Sequence, residues 1–265
     1  MDLQLDGKCA LVTGSSRGLG KEMAKTLAAE GAKIIVHGRN SETAETVAHE
    51  IGGSDRVAVV LGDLAETGAV DRIASEAGTA FGGVDILVNN AGLFGPTDWN
   101  DIVMEDMISL YATNVAGPAR LSSLLASSMA DRRWGRLIHI GSLAAGVGLP
   151  MAPSYGASKA ALAAISSSLA KHFGRHGITS NILGVGVIAN MAETGWINQE
   201  EGKSDPTYEF MISIPDGHLQ INPIARSGTP EEVAFMVAVL ASPRSAYING
   251  TLIRVDGGCV PTLGL

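Results

Sequence analysis

A phenol and an amine, Tyr155 and Lys159 in the run YGASK, stand four residues apart in a stretch rich in alanine. On a helix that spacing puts both on one face. A phenol with a pKa of about 10 is a weak acid–base catalyst at neutral pH. A neighbouring positive charge favours the phenolate, at about 1.4 kcal/mol for each unit of pKa. Taken alone, such a pair occurs often by chance and reads as an ordinary helix face. Ser142 adds a hydroxyl upstream, in GSLAAG, just past the apolar run RLIHI. At the carboxyl end of a central parallel strand such a hydroxyl faces the crevice where ligands bind. There it could hydrogen-bond a substrate oxygen and support charge developing on it. Another apolar run ends in NNAG, 89–92, whose small residues can line a channel. Asn114 falls inside a helical pattern where asparagine is a poor former, which suggests a local kink or a water-binding carbonyl.

A second group could bind phosphate. Directly after CALV comes TGSSRGLG, 13–20, followed by a helical pattern. Gly14 suits a tight turn, Gly18 lets backbone approach a pyrophosphate, and Gly20 permits close packing of helix on strand. The helix N-terminus offers free N–H groups and the positive end of its dipole. Strand, turn and helix arrive in the order a dinucleotide requires. At the end of the second strand, IIVHGRN has Gly38 where a carboxylate would hold the ribose of NAD, and Arg39 follows. The site therefore accepts the 2′-phosphate of NADP. Hydrogen bonds to charged groups are worth about 1.5–3 kcal/mol, enough for a roughly ten- to hundredfold preference. Arg17 could reinforce it. The alternative for both arginines is a solvated surface position.

The elements that must position these groups alternate along the chain. Strands are expected at 9–13, 33–36, 57–61, 85–89, 136–140, 179–183 and 252–255. Most are continuously apolar, as strands covered on both faces are. Helices are expected at 18–30, 41–51, 66–80, 104–130, 154–173 and 230–240. Ser41 is the expected N-cap of the second, and Thr229 precedes a proline at the start of the last. The pattern predicts an α/β fold: a Rossmann-type doubly wound parallel sheet of about seven strands with helices on both faces. The 265 residues then make one dinucleotide-binding and catalytic domain, 1–265. A glycine- and proline-bearing stretch at 190–222 breaks the rhythm and is expected as a lid. Its Trp196, Tyr208, Phe210 and Met211 could close over a substrate.

Composition narrows the classes further. The net charge of -8 argues against nucleic acid or an anionic membrane as the main partner. No apolar run reaches the roughly 18 to 20 residues of a membrane span, and the first residues lack a signal-peptide pattern, so a cytoplasmic location is expected. No metal-ligand spacing appears. Cys9 is expected as a buried free thiol, His139 as a packed or hydrogen-bonded core residue, and Met104 and Met107 as helix packing. His172 and His176 are expected at a helix C-terminus ended by Gly174, not at a metal.

TGSSRGLG, Asp63 of GDL, NNAG, Asn114, Ser142, YGASK and the closing YINGTLIRVDGG stand in one order across roughly residues 5–258. In that order the chain resembles the short-chain dehydrogenase/reductase family, in the single-domain branch that includes the 3-oxoacyl-carrier-protein reductases. The resemblance implies a catalytic tetrad of Asn114, Ser142, Tyr155 and Lys159. Tyr155 would donate a proton to the substrate oxygen while a nicotinamide delivers hydride to carbon. Lys159 would hold the nicotinamide ribose and lower the tyrosine's pKa, Ser142 would orient the carbonyl, and Asn114 would anchor a water in a proton relay. Cofactor contacts carry over to Gly14, Ser16, Arg17, Gly18, Leu19 and Gly20 of the turn, and to Arg39. They carry over also to Asp63 and Leu64, to Asn90, Ala91 and Gly92, to Tyr155 and Lys159, and to Gly186, Ile188 and Asn190. Asp63 would contact adenine, although GDLAE also fits an Asp-x-x-Glu helix cap.

One segment departs from the family. A proline–glycine pair and a threonine that bonds the nicotinamide carboxamide are replaced by Val185, Gly186 and Asn190. Asn190 can still donate and accept, so nicotinamide placement is the property this change touches. The expected function is an NADP(H)-dependent reductase of a small-molecule ketone, with a 3-oxoacyl thioester on acyl carrier protein as one substrate. The alternatives are an alcohol or sugar-alcohol dehydrogenase and a non-catalytic NADP(H)-binding sensor. The family also implies a homotetramer.

Overall fold

Strands with two covered faces feed two cores, and the first strand does so residue by residue. The computed structural model describes residues 1–95, 99–189, 223–224 and 226–259, with the backbone of 197–198 and 203–204. In β1 (Cys9–Val12), Ala10 and Val12 join a core with Met23 and Leu27 of α1 (Gly18–Ala29). Val237 of α8 (Pro230–Ala241) belongs to the same core. Cys9 and Leu11 join the opposite core, with Ile73 of α3 (Thr67–Thr79) and Leu121 of α5 (Gly117–Asp131). Leu11 is fully buried, and truncating such a leucine to alanine costs about 2–5 kcal/mol.

The remaining strands of the sheet are β2 (Lys33–Gly38), β3 (Val57–Leu61), β4 (Ile86–Asn89), β5 (Gly135–Ile140), β6 (Ile178–Val185) and β9 (Leu252–Val255). All seven run parallel in the order β3-β2-β1-β4-β5-β6-β9. The order reverses between β1 and β4, and a crevice opens there at the carboxyl ends. Seven parallel strands between helical layers are the expected doubly wound α/β fold.

Local differences from expectation have physical causes. The N-cap of α2 (Ser41–Ile51) is Asn40, not Ser41: Asn40 is extended and its Oδ1 accepts from the Thr43 N–H at 3.0 Å. The expected helix 104–130 is interrupted. It divides into α4 (Met104–Tyr111), a π turn at Ala112–Ala116 and α5, with Asn114 at the centre of the turn. A π turn of this kind frequently marks a functional position. Asp63 does not cap α3, because its Oδ1 accepts from Ala65 N–H at 2.9 Å and the helix begins only at Thr67. Thr229 does cap α8, in a reciprocal box with Glu232.

Met104 is 69% exposed, with Val103 and Ile108 beside it, so it does not pack within this chain as expected. Helix α7 (Pro153–Phe173) ends before Gly174, and His172 and Arg175 sit at that terminus. Cys9 is a buried free thiol with its pKa pushed up to about 12 by burial. The expected lid at 190–222 lies outside the described residues apart from the backbone of two short strands, β7 (Ile197–Asn198) and β8 (Lys203–Ser204). Just outside that stretch, Ile188 and Gly228 form a parallel bridge. Among the described residues no helix is long and apolar enough to cross a membrane.

Candidate active site

The turn after β1 is held open by its neighbours' side chains. Thr13 Oγ1 accepts from the N–H groups of Asn90 and Ala91, each at 3.0 Å. Asn90 Nδ2 donates to the Thr13 carbonyl at 2.9 Å. Gly14 and Gly18 adopt left-handed φ of +66° and +55°. A side chain at Gly20 would collide with the Gly14 carbonyl and with Asn90. Arg17, at the N-cap of α1, makes no side-chain cap, so the first N–H groups of the helix keep their capacity for an anion.

His37 was not singled out by the sequence, yet it organises this end. Gly14 N–H donates to His37 Nδ1 at 3.1 Å, and His37 N–H donates to Ser15 Oγ at 3.0 Å. Burial pulls its pKa down to about 4, so the ring is neutral. With Nδ1 accepting, the proton sits on Nε2, buried on the cleft wall, where the Gly62 main chain favours it. Its place beside Gly38 at the end of β2 was the available signal.

Gly38 is needed for a local reason as well: a Cβ there would lie 2.8 Å from Ser16 Oγ. Arg39 Nη1 pairs with Asp63 Oδ2 at 3.2 Å, both partly exposed. The Ala65 N–H and then Arg39 hold the Asp63 carboxyl below the usual carboxylate range.

At the other end of the cleft the four expected residues converge. Lys159, 5% exposed, donates to the Ile140 carbonyl at 2.9 Å, and its Nζ stands 5.6 Å from the Tyr155 ring centre. Burial lowers its pKa to about 8. Burial raises the Tyr155 phenol, opposed by the Ser142 hydroxyl beside it. The Lys159 ammonium, held on the Ile140 carbonyl, is the positive charge beside the phenol. Ser142 Oγ also accepts from Ala144 N–H at 3.2 Å.

Asn114 is engaged on both sides. Its Oδ1 accepts from Leu93 N–H at 2.7 Å, and its Nδ2 donates to the Leu93 carbonyl and to Ser158 Oγ. A Cβ at Gly92 would approach Asn114 Oδ1 to 3.2 Å and Lys159 Nζ to 3.4 Å. Leu93, Ser158 and Phe94, whose ring meets Tyr155 edge-on at 5.0 Å, were missed because nothing in their sequence pattern is special. Below them His139 is buried and bonded through both nitrogens, to Asn89 and Ser180.

One cleft of about 540 Å³ joins the two ends, lined by the turn, Arg39, Asp63, Leu64, Asn90 to Gly92, Ser142, Tyr155, Lys159, Gly186 and Ile188. Asn190 lies outside the described residues. A glycine cradle, an uncapped helix terminus and a buried Tyr–Lys pair on a doubly wound sheet suit a nucleotide-dependent oxidoreductase. The profile of the short chain dehydrogenase family matches residues 8–201. Nodulation protein G of Rhizobium meliloti (strain 1021) is 37% identical over 96% of this chain and 98% of its own. The 3-oxoacyl-[acyl-carrier-protein] reductase FabG of Escherichia coli (strain K12) is 33% identical over 97% and 98%. Among solved structures, L-sorbose reductase from Gluconobacter frateurii, complexed with NADPH and L-sorbose, aligns with a TM-score of 0.88. Its identity is 31%, over 99% of this chain and all of its own. The chain belongs to the short-chain dehydrogenase/reductase family.

Proposed function

We propose that this protein is an NADP(H)-dependent reductase of ketones, with Tyr155 as the acid. One observation carries the reading: Ser142, Tyr155 and Lys159 line one end of a cleft, with Asn114 buried against Ser158 behind them, and the other end presents Arg39. The cradle fits the dinucleotide, since Gly14 and Gly18 turn the chain in left-handed backbone, and both line the cleft beside the uncapped start of α1. The turn and the α1 terminus would hold its pyrophosphate. Arg17 and Arg39 would meet the 2′-phosphate, Asp63 and Leu64 would border the adenine, and Gly186, Ile188 and Asn190 would border the nicotinamide. When bound, the dinucleotide supplies the hydride.

The chain's own residues handle the proton. Burial keeps the Tyr155 phenol protonated, which is the form a reduction needs. It gives that proton to the carbonyl oxygen, while Ser142 donates a hydrogen bond to the same oxygen. Lys159 stabilises the phenolate left behind. The Asn114 side chain is fully occupied, so its contribution to a water-borne relay falls to the π turn's main-chain carbonyls.

A 3-oxoacyl thioester on acyl carrier protein is the leading substrate, supported by the likeness to FabG. A sugar ketone, or a sugar alcohol in the oxidative direction, is the second reading, favoured by the likeness to L-sorbose reductase. The exposed apolar residues Val103, Met104 and Ile108 of α4 and Phe235 of α8 support a homotetramer, which light scattering tests. Consumption of NADPH and NADH against 3-oxoacyl thioesters, ketoses and simple ketones tests the function. Turnover with NADPH and a thioester is expected; cofactor binding without turnover of any ketone would overturn it.

A further inference from the structure

A second cavity, of about 380 Å³, shares no lining residue with the cleft. It lies where β5 and β6 begin, while Ser142 lies past the other end of β5. Its wall includes Arg133, Trp134, Arg136, Thr179, Pro243 and Asn249.

Arg136 is only 2% exposed, and no described carboxylate pairs with it. Its Nε donates to the Ser242 carbonyl at 3.3 Å and its Nη1 to that of Gly135 at 2.9 Å. Nη2 meets no acceptor among the described residues and is not sealed in the core. Burial lowers its pKa to about 10, so the guanidinium stays charged at neutral pH. A desolvated charge without a counter-charge is unfavourable, and a guanidinium suits oxyanions above other partners.

The surroundings repeat the theme. The Trp134 ring carries two cations near its centre, the Arg136 guanidinium at 4.5 Å and the Lys8 ammonium at 4.1 Å. Arg133 adopts φ +54°, the left-handed position after a helix where glycine is usual, so a cation is kept at a strained site. Its guanidinium donates to the Arg175 carbonyl at 3.3 Å. Lys8, Arg133 and Arg175 have no carboxylate partner among the described residues, whereas the neighbouring Arg132 pairs with Asp85. Unpaired cations gathered in a chain of net charge -8 are not a matter of composition.

We propose that this cavity is a second binding site, for a small oxyanion held by Arg136 and Arg133. The group is a phosphate monoester or a carboxylate, which share this chemistry. It binds at the amino end of the sheet, opposite the cofactor cleft and independently of it.

The full chain, with and without NADP⁺, is titrated with inorganic phosphate and with succinate against chloride at matched ionic strength, by calorimetry and thermal unfolding. Saturable binding of one anion that also raises the Tm is expected. Tighter phosphate binding identifies a phosphate ester as the source, and tighter succinate binding a carboxylate. With NADP⁺ filling the cleft, Arg133→Gln should weaken the Kd about tenfold or more, while Arg72→Gln on α3, which lines neither cavity, leaves it within about twofold. Arg136→Lys should weaken it too. Arg133 is exposed, so its variant decides the matter even if the Arg136 variant fails to fold. No saturable binding, or an unchanged Kd in Arg133→Gln, overturns the proposal.

Discussion

The two ends of the cleft handle charge in opposite ways. At the glycine-turn end, Arg39 and Asp63 are 65% and 32% exposed and pair across 3.2 Å. An ion pair so exposed contributes at most about 1 kcal/mol, so Arg39 is released to a phosphate with little penalty. At the tyrosine end, Lys159 is 5% exposed and His139 is fully buried, and burial moves their pKa values to about 8 and about 4. Exposed charge can choose between two cofactors. Buried charge can set proton affinities. On the proposed reading, the contrast divides recognition from chemistry along one groove.

Substitutions at each end should separate these roles. The larger effect of the two ends is expected at the buried one: Ser142→Ala should lower kcat about 10²–10³-fold with NADPH affinity unchanged, by steady-state kinetics and fluorescence titration. At the exposed end, Arg39→Gln should lower kcat/KM for NADPH about ten- to a hundredfold and leave NADH within about twofold. Equal losses with both cofactors would break the contrast.

A smaller effect concerns stability. Lys159 titrates at about 8 in the folded chain against its ordinary 10.5. Between those values the unfolded chain binds more protons, so wild-type stability rises with pH. Below about pH 8 the full cost of the buried charge is present. Lys159→Met should therefore be more stable at neutral pH by ~2 kcal/mol once the Ile140 bond is lost, by urea unfolding. That advantage should shrink from about pH 8 to 10.5. The smallest effect is steric: Gly38→Asp alone should impair both cofactors, because its Cβ meets Ser16 Oγ at 2.8 Å. Adding Ser16→Gly should restore NADH use several fold, measured as kcat/KM.

Most of this arrangement was legible before any coordinates. Strands such as Val57–Leu61 are unbroken apolar runs, and their alternation with amphipathic segments dictates a parallel sheet. YGASK on α7 and TGSSRGLG before α1 carry their geometry in their spacing. The π turn was not legible as such, because apolar periodicity runs on through 104–130 and only Asn114 hinted at an interruption. Asn40 and Ser41 are adjacent residues that can both cap a helix, and only the extended backbone at Asn40 decides between them. His37 was invisible for a different reason: its role depends on Gly14, which reaches it through tertiary structure alone. The Lys159–Ile140 bond, which fixes the ammonium beside the phenol, likewise joins residues no pattern relates.

The most direct test removes a single oxygen. Tyr155→Phe should cut ketone turnover about 10²–10⁴-fold while the Kd for NADPH stays within about threefold. Turnover that persists in this variant, or NADPH binding that falls in step with it, would contradict the assignment of the phenol as the acid.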